Sequence, residues 1–335
     1  MKKLLLVAIF IALCAHASAA NRFFLNNGFN FSSTANWSTT SGGAGGASVP
    51  GTADVAFFDT NSGACTVDAN INVLGIDSTG YTNTLTQGAF AIIVGASDVK
   101  WVAGTFIGSA SAITVTGSML VTGGTFTNTS GICSVTYNIT TKGTYSHNNG
   151  KVLMPSAGIS TALVTDGVFF DLEINRASDY NSVSILGSNS VVNNNLTIKA
   201  VYTISNLAIE VKGNVILDAS TAYFGGGSTV LKINGSGTQG VSGSAGYCGL
   251  PIEINKISGV LNFNRDITFK SSYTNLAGTV NWASYKTILG GGSDTAVVTN
   301  GSFYDLEINR SGYGFVTIAS ANIVVNHNLT ITNAY

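Results

Sequence analysis

Two short segments hold the residue types most able to do chemistry. Asp171, Glu173 and Arg176 stand close together in one, and Asp305, Glu307 and Arg310 repeat the set in the other. Paired carboxylates can divide the acid and nucleophile or base roles of glycoside hydrolysis, and clustered acids can hold calcium. With a basic partner, these six residues are the candidate catalytic set of a polysaccharide lyase or hydrolase. The two sets are far apart in the chain and keep identical internal spacing. A catalytic site is normally built once on a repeated scaffold, whereas a packing motif recurs. The reading therefore assigns no catalytic residue and keeps a carbohydrate-active enzyme as the alternative.

Other chemistry is weaker. His147 and His327 have no second metal-type ligand at short spacing and read as turn or surface residues. No G-x-S-x-G elbow marks a nucleophilic serine. Gly290-Gly291-Gly292-Ser293-Asp294 has the look of a calcium-binding repeat, but its counterpart Gly225-Gly226-Gly227-Ser228-Thr229 lacks the acid, so both read as plain turns. Trp101 and Trp282 could stack on sugar rings, yet their apolar flanks place them in the core. N-x-S/T sequons such as Asn195-Leu196-Thr197 follow from the composition and would matter only in a eukaryotic secretory host. No cofactor and no metal are expected.

The elements that must position these residues are short strands. Asp54-Val55-Ala56-Phe57-Phe58, Ala112-Ile113-Thr114-Val115-Thr116, Leu196-Thr197-Ile198 and Ile267-Thr268-Phe269 alternate with period two between Gly, Asn, Ser and Asp. No segment keeps a helical apolar period. A short repeat, x-G-T-aromatic, ends at Phe106, Phe126 and Tyr145, and its glycines are Gly104, Gly124 and Gly143; Gly278-Thr279-Val280 is related. A period near twenty is that of a β-solenoid. The long repeat is stronger: residues 161–176 and 295–310 agree at 12 of 16 positions, residues 183–198 match 316–331, and residues 250–256 form a weaker third copy. Within the motif, Phe170, Leu172 and Ile174 point inward, and Asp171, Glu173 and Asn175 point to solvent. Sandwich domains are the alternative all-β reading. At twenty residues per coil, the chain past residue 20 makes about fifteen coils and a rod about 70 Å long.

Composition narrows the rest. Of 335 residues only 9% are charged, against about 25% in an average domain. That excludes charge-rich disorder and coiled coils, and the slightly acidic balance excludes a nucleic-acid binder. Lys2 and Lys3, an apolar stretch from Leu4 to Leu13 and small residues to Ala20 read as a secretory signal peptide over residues 1–20. A lipoprotein signal ending at Cys14 is the rival, disfavoured by Leu13. Cleavage removes two lysines and changes the formal charge from −1 to −3. No later segment is long and apolar enough to span a membrane. Cys65, Cys133 and Cys248 are odd in number and widely spaced, so they read as small buried residues, although export would permit one disulfide among them. Residues 21–53, with Phe23, Phe24, Phe29, Phe31 and Trp37 and a Gly/Ser-rich loop, are expected to form an N-terminal cap. Residues 54–335 are expected to be solenoid repeats. Alignment of the two long copies sets Tyr335 opposite Tyr202, so the reading expects a chain that stops mid-unit, either as a fragment or with an end that pairs with another chain.

Ala35-Asn36-Trp37-Ser38, then Val49 to Phe57, and the units ending in DLEIN and NLTI resemble secreted bacterial β-solenoid surface proteins such as autotransporter passengers and filamentous adhesins. The resemblance implies a right-handed parallel β-helix displayed outside the cell for adhesion or as a stalk, and it carries over no catalytic residue. The combined reading is an all-β, capped parallel β-helix, secreted or at the cell surface. It would act structurally or adhesively on surface glycans or cell-surface proteins. The remaining alternative is a self-assembling filament or sheath subunit that associates end to end.

Overall fold

The computed structural model describes residues 20–26, 28–156, 161–177, 180–218, 227–291, 296–310, 314–320 and 323–333. Residues 1–19 of the expected signal segment, Gly225, Gly226, residues 292–294 and Tyr335 lie outside these described residues.

Alternating short strands leave each strand with one apolar face, and stacking coils bury that face while pairing every strand with its neighbours. The chain does this for about 12 parallel turns. Among the described residues the only regular helix is a single 3-10 turn, Thr34–Asn36. The turns are fewer than fifteen because their length varies. One coil runs only from Thr125 to its register partner Thr144, whereas another runs the longer way from Val215 to Val241. The stack is accordingly about 55 Å long.

Register turns the core into ladders. Ile71, Ile92, Ile113, Cys133, Val152, Leu172, Leu196, Val215, Val241 and Phe263 are successive partners, and all ten are buried. Each rung of this kind contributes about 1.5–3 kcal/mol by leaving water. The three cysteines follow the same rule: Cys133 is a rung of this ladder, Cys65 pairs with Leu85, and Cys248 pairs with Phe269. All three are buried free thiols, as small core residues would be. Trp101 and Trp282 are core residues too, with Trp282 stacked on Phe263 at 3.9 Å.

Outside, Ser, Thr and Asn cover the coils. Asn214 donates to Asn195 Oδ1 at 3.1 Å and Asn281 to Asn262 Oδ1 at 3.0 Å, one coil to the next. Asn148, Asn149 and Asn300 in turns and Asn206 at the end of its strand sit at positive φ, a conformation their short polar side chains tolerate.

At the N-terminal end the pattern changes. Strand Ala20–Phe24 pairs parallel with Asp54–Phe57 and antiparallel with Trp37–Ser38, which ends that sheet. Phe24, Phe31 and Trp37 are buried, Phe23 is half-buried and Phe29 is exposed. The Trp37 indole N–H donates to the Phe31 carbonyl at 2.7 Å.

Candidate functional site

Strand Asp171–Asn175 lies between Lys151–Pro155 and Leu196–Ala200 in parallel register. Leu172 and Ile174 point into the core, which sends Asp171 and Glu173 to the outer face. There Glu173 is almost fully covered: Lys151 Nζ stands 2.7 Å from one carboxylate oxygen and Lys199 Nζ 2.9 Å from the other. The lysine stems lie over the acid while their heads stay half in water. The outward acid was expected to be solvated; the lysines of the coils on either side are what cover it. Burial alone would raise the Glu173 pKa, and the two ammonium hydrogen bonds outweigh that and hold it below the usual carboxylate range.

Asp171 serves a different purpose. Its Oδ1 accepts from the Asn195 backbone N–H at 2.8 Å and from Asn194 Nδ2 at 2.9 Å, so it fastens the turn of the next coil. The second copy repeats the arrangement with two exchanges, one of which puts Thr332 where the first copy has Lys199, so that a single lysine meets Glu307. Lys286 Nζ meets Glu307 Oε2 at 2.7 Å, and Asp305 Oδ1 accepts from the Asn328 N–H at 2.8 Å with His327 Nδ1 also at 2.8 Å. His327, stacked on Tyr304, thus occupies the position of Asn194. The lysine hydrogen bond, opposed by partial burial, lowers the Glu307 pKa. In the third copy Pro251 replaces the aspartate, and Glu253 keeps a looser pair with Lys232 at 3.7 Å.

The aspartate fastening recurs outside the motif. Asp98 accepts from the Ser118 N–H at 2.6 Å, Asp218 from the Ser244 N–H at 3.0 Å and Asp266 from the Lys286 N–H at 2.7 Å, in each case one coil further along. These carboxylates satisfy turn N–H groups that the strand ladders leave over.

Arg176 and Arg310 take a different place from the one the sequence suggested. Both are fully buried on the inner side of the motif rather than beside the carboxylates on the outer face. The Arg176 guanidinium donates to the Thr136 and Pro155 carbonyls at 2.8 and 3.3 Å, and Arg310 donates to the Lys270 carbonyl at 3.2 Å. Thr136 and Lys270 each lie two coils before their arginine. In the third copy Lys256 does the same, with Nζ 2.7 Å from each of Gly235 O, Gly237 O and Gln239 Oε1. The last residue of every copy is therefore a buried cation that ties backbone carbonyls of earlier coils. The signal was present in the sequence as a basic residue closing all three copies; which side of the strand it takes depends on carbonyls supplied by distant coils.

The six candidates thus form two outer carboxylate ladders and two inner cation ties, rather than one cleft. His147 lies in a turn, where its Nδ1 accepts from the Asn149 N–H at 3.0 Å. Among the described residues no group of three or more His, Cys, Asp or Glu could hold a metal ion, and no helix is long and apolar enough to cross a membrane. No protein-family profile, curated protein or solved structure matches the chain.

The ion pairs predict an acid-sensitive fold. With folded pKa values below the unfolded glutamate value of about 4.3, Glu173 and Glu307 contribute stability that is complete above that value. It is lost as pH falls through the folded values. Urea midpoints should hold down to about pH 5 and decline below about pH 4. Glu173→Gln should be destabilised at neutral pH and show a shallower acid decline. Parallel pH profiles of the two proteins would contradict the assignment.

Proposed function

We propose that this chain is an exported β-solenoid that acts as a surface-displayed structural or adhesive module, through many weak contacts along its outer faces and without a chemical step. What supports this reading above all is the occupation of the carboxylates: both oxygens of Glu173 are engaged by lysines, and Asp171 and Asp305 fasten the following turn. An acid committed to holding its neighbours is poorly placed to exchange a proton with a substrate. The aspartate fastening and a lysine–glutamate pair stand twice along the rod, as a packing device would.

Display requires export. Expression of the full chain in a Gram-negative host should give an exported protein whose N-terminus, read by mass spectrometry, begins at Ala20 or Asn21. Protein retained in the cytoplasm with residues 1–20 attached would overturn the export half of the proposal. Its partners would be surface glycans or cell-surface proteins, and a glycan-array screen of the exported chain identifies which.

A further inference from the structure

One outer face differs from all the others. The five strands Cys65–Thr66, Thr84–Thr86, Thr105–Ile107, Thr125–Thr127 and Thr144–Ser146 form a separate parallel sheet with no register shift. Their outward positions fall into two ranks. Thr84, Thr105, Thr125 and Thr144 are successive partners in one, and Thr66, Thr86, Ile107, Thr127 and Ser146 in the other. All of these positions but Ile107 and Ser146 are threonine. Their hydroxyls make no hydrogen bond to a described residue, although buried Thr129, one turn away, makes two at 2.8 and 2.7 Å. The repeat x-G-T-aromatic is the trace of this face in the sequence.

The geometry is that of a small lattice. Adjacent strands set the threonines of a rank about 4.8 Å apart, and alternate residues along a strand set the two ranks about 6.6 Å apart. β-Branching holds each hydroxyl and methyl at a stiff χ1. Beneath the face, Phe106, Phe126 and Tyr145 stack with interplanar angles of 17° and 8°, giving the sheet a flat support. The turns beside it are locked: Gln87 Nε2 reaches the Ser111 carbonyl at 2.9 Å, and Asn128 Nδ2 reaches Tyr145 Oη at 2.9 Å. At Gly124 a side chain would strike the Gly104 carbonyl at 2.6 Å, which keeps the turns in close stack. Residues 82–88, 102–109 and 122–130 carry no charged side chain, so no strongly hydrated ion interrupts the three central strands; Asp68 and Lys142 flank the two end strands.

We propose that this threonine lattice is a binding site for ice. A rigid, uncharged grid of hydroxyls and methyls orders its first water layer through bridging hydrogen bonds, and the ordering entropy has already been met by the fold. Ice is the ligand whose own surface repeats in two dimensions on this scale, so that layer can join the crystal. A flexible glycan chain has no such lattice, and a nucleic acid or acidic polymer would need positive charge that the face lacks. The inference is independent of the display reading.

The test is partition of the purified full chain between a slowly growing ice body and the remaining liquid, alongside ice shaping in a nanolitre osmometer. Wild type should be enriched in the ice and should facet the crystal. Thr125→Lys, at the centre of its rank, should lose about tenfold in partition, close to 1.4 kcal/mol. Thr144→Lys, at an exposed end of the same rank, should also lose partition and gives a second reading if the central variant folds poorly. Thr114→Lys, on the outer face of a different sheet, should partition as wild type. Equal far-UV circular dichroism and urea midpoints establish that each variant is folded. Exclusion of the wild type from ice, or folded Thr125→Lys and Thr144→Lys proteins that partition like wild type, would overturn the proposal. So would binding to crystalline cellulose that these lysines abolish while ice partition is unchanged.

Discussion

Replacing Arg176 with methionine will cost the fold about 3 kcal/mol. Charge burial alone does not forecast this, because exchanging a buried ion for an apolar side chain is often neutral. The difference lies in the acceptors. The Thr136 and Pro155 carbonyls belong to the backbone and stay in place when the guanidinium leaves, so the variant keeps two buried acceptors without their donor. Each orphaned group costs about 1–3 kcal/mol. Arg176→Lys retains a cation and should lose less, about 1–2 kcal/mol: an ammonium can serve several acceptors, as that of Lys256 does, but from a shorter side chain it must reach the two carbonyls that the guanidinium meets through its Nη1. Urea unfolding followed by circular dichroism reads the effect. A midpoint equal to wild type in Arg176→Met would mean that the carbonyls are satisfied by other means. Because Arg310 makes the same two-coil reach, Arg310→Met should fall in the same direction.

Trp37→Ala will be of similar or greater size, about 3–5 kcal/mol. The indole is fully buried, with ring centroids 5.1 Å from Phe24, 4.8 Å from Phe31 and 6.0 Å from Phe58. Its removal leaves a cavity at the end of the stack and strands the Phe31 carbonyl. In a quasi-one-dimensional fold such damage is felt first by the nearest coils. Hydrogen exchange should therefore rise around residues 54–58 well before it rises around residues 113–115. If residues 21–53 act as a cap, the variant will also be cut by proteases within the first coils. Unchanged exchange at residues 54–58 would contradict a capping role.

Much of the architecture was legible because it rests on alternation. Leu172 and Ile174 are inward for the same reason that any period-two strand on a core has an inward set, and the three cysteines and two tryptophans follow once the rungs are placed. The number of coils was less legible, since turn insertions such as that between Val215 and Val241 lengthen a coil without disturbing its strands. The carboxylates could be assigned to the outer face, but not their partners: Lys151 and Lys199 belong to the coils before and after Glu173, and only the stacking of coils brings them together. Arg176 was misplaced for the same reason. Its charge grouped it with the carboxylates although alternation puts it on the side of Leu172 and Ile174, and the carbonyls that hold it inside come from the two coils before it.

The low charge content takes on meaning in this light. Where charges occur in the repeated motif they are structural parts, with carboxylates fastening turns, lysines covering them and the terminal cation tying coils from inside. The central proposal is that these groups hold the rod together and do not turn over a substrate. It is tested most directly by incubating the purified full chain with a panel of acidic and neutral polysaccharides, with and without calcium, and following new reducing ends and unsaturated products. The account predicts no turnover by wild type or by Glu173→Gln/Glu307→Gln, together with lowered stability of the double variant. Turnover by wild type that a folded double variant has lost would contradict it.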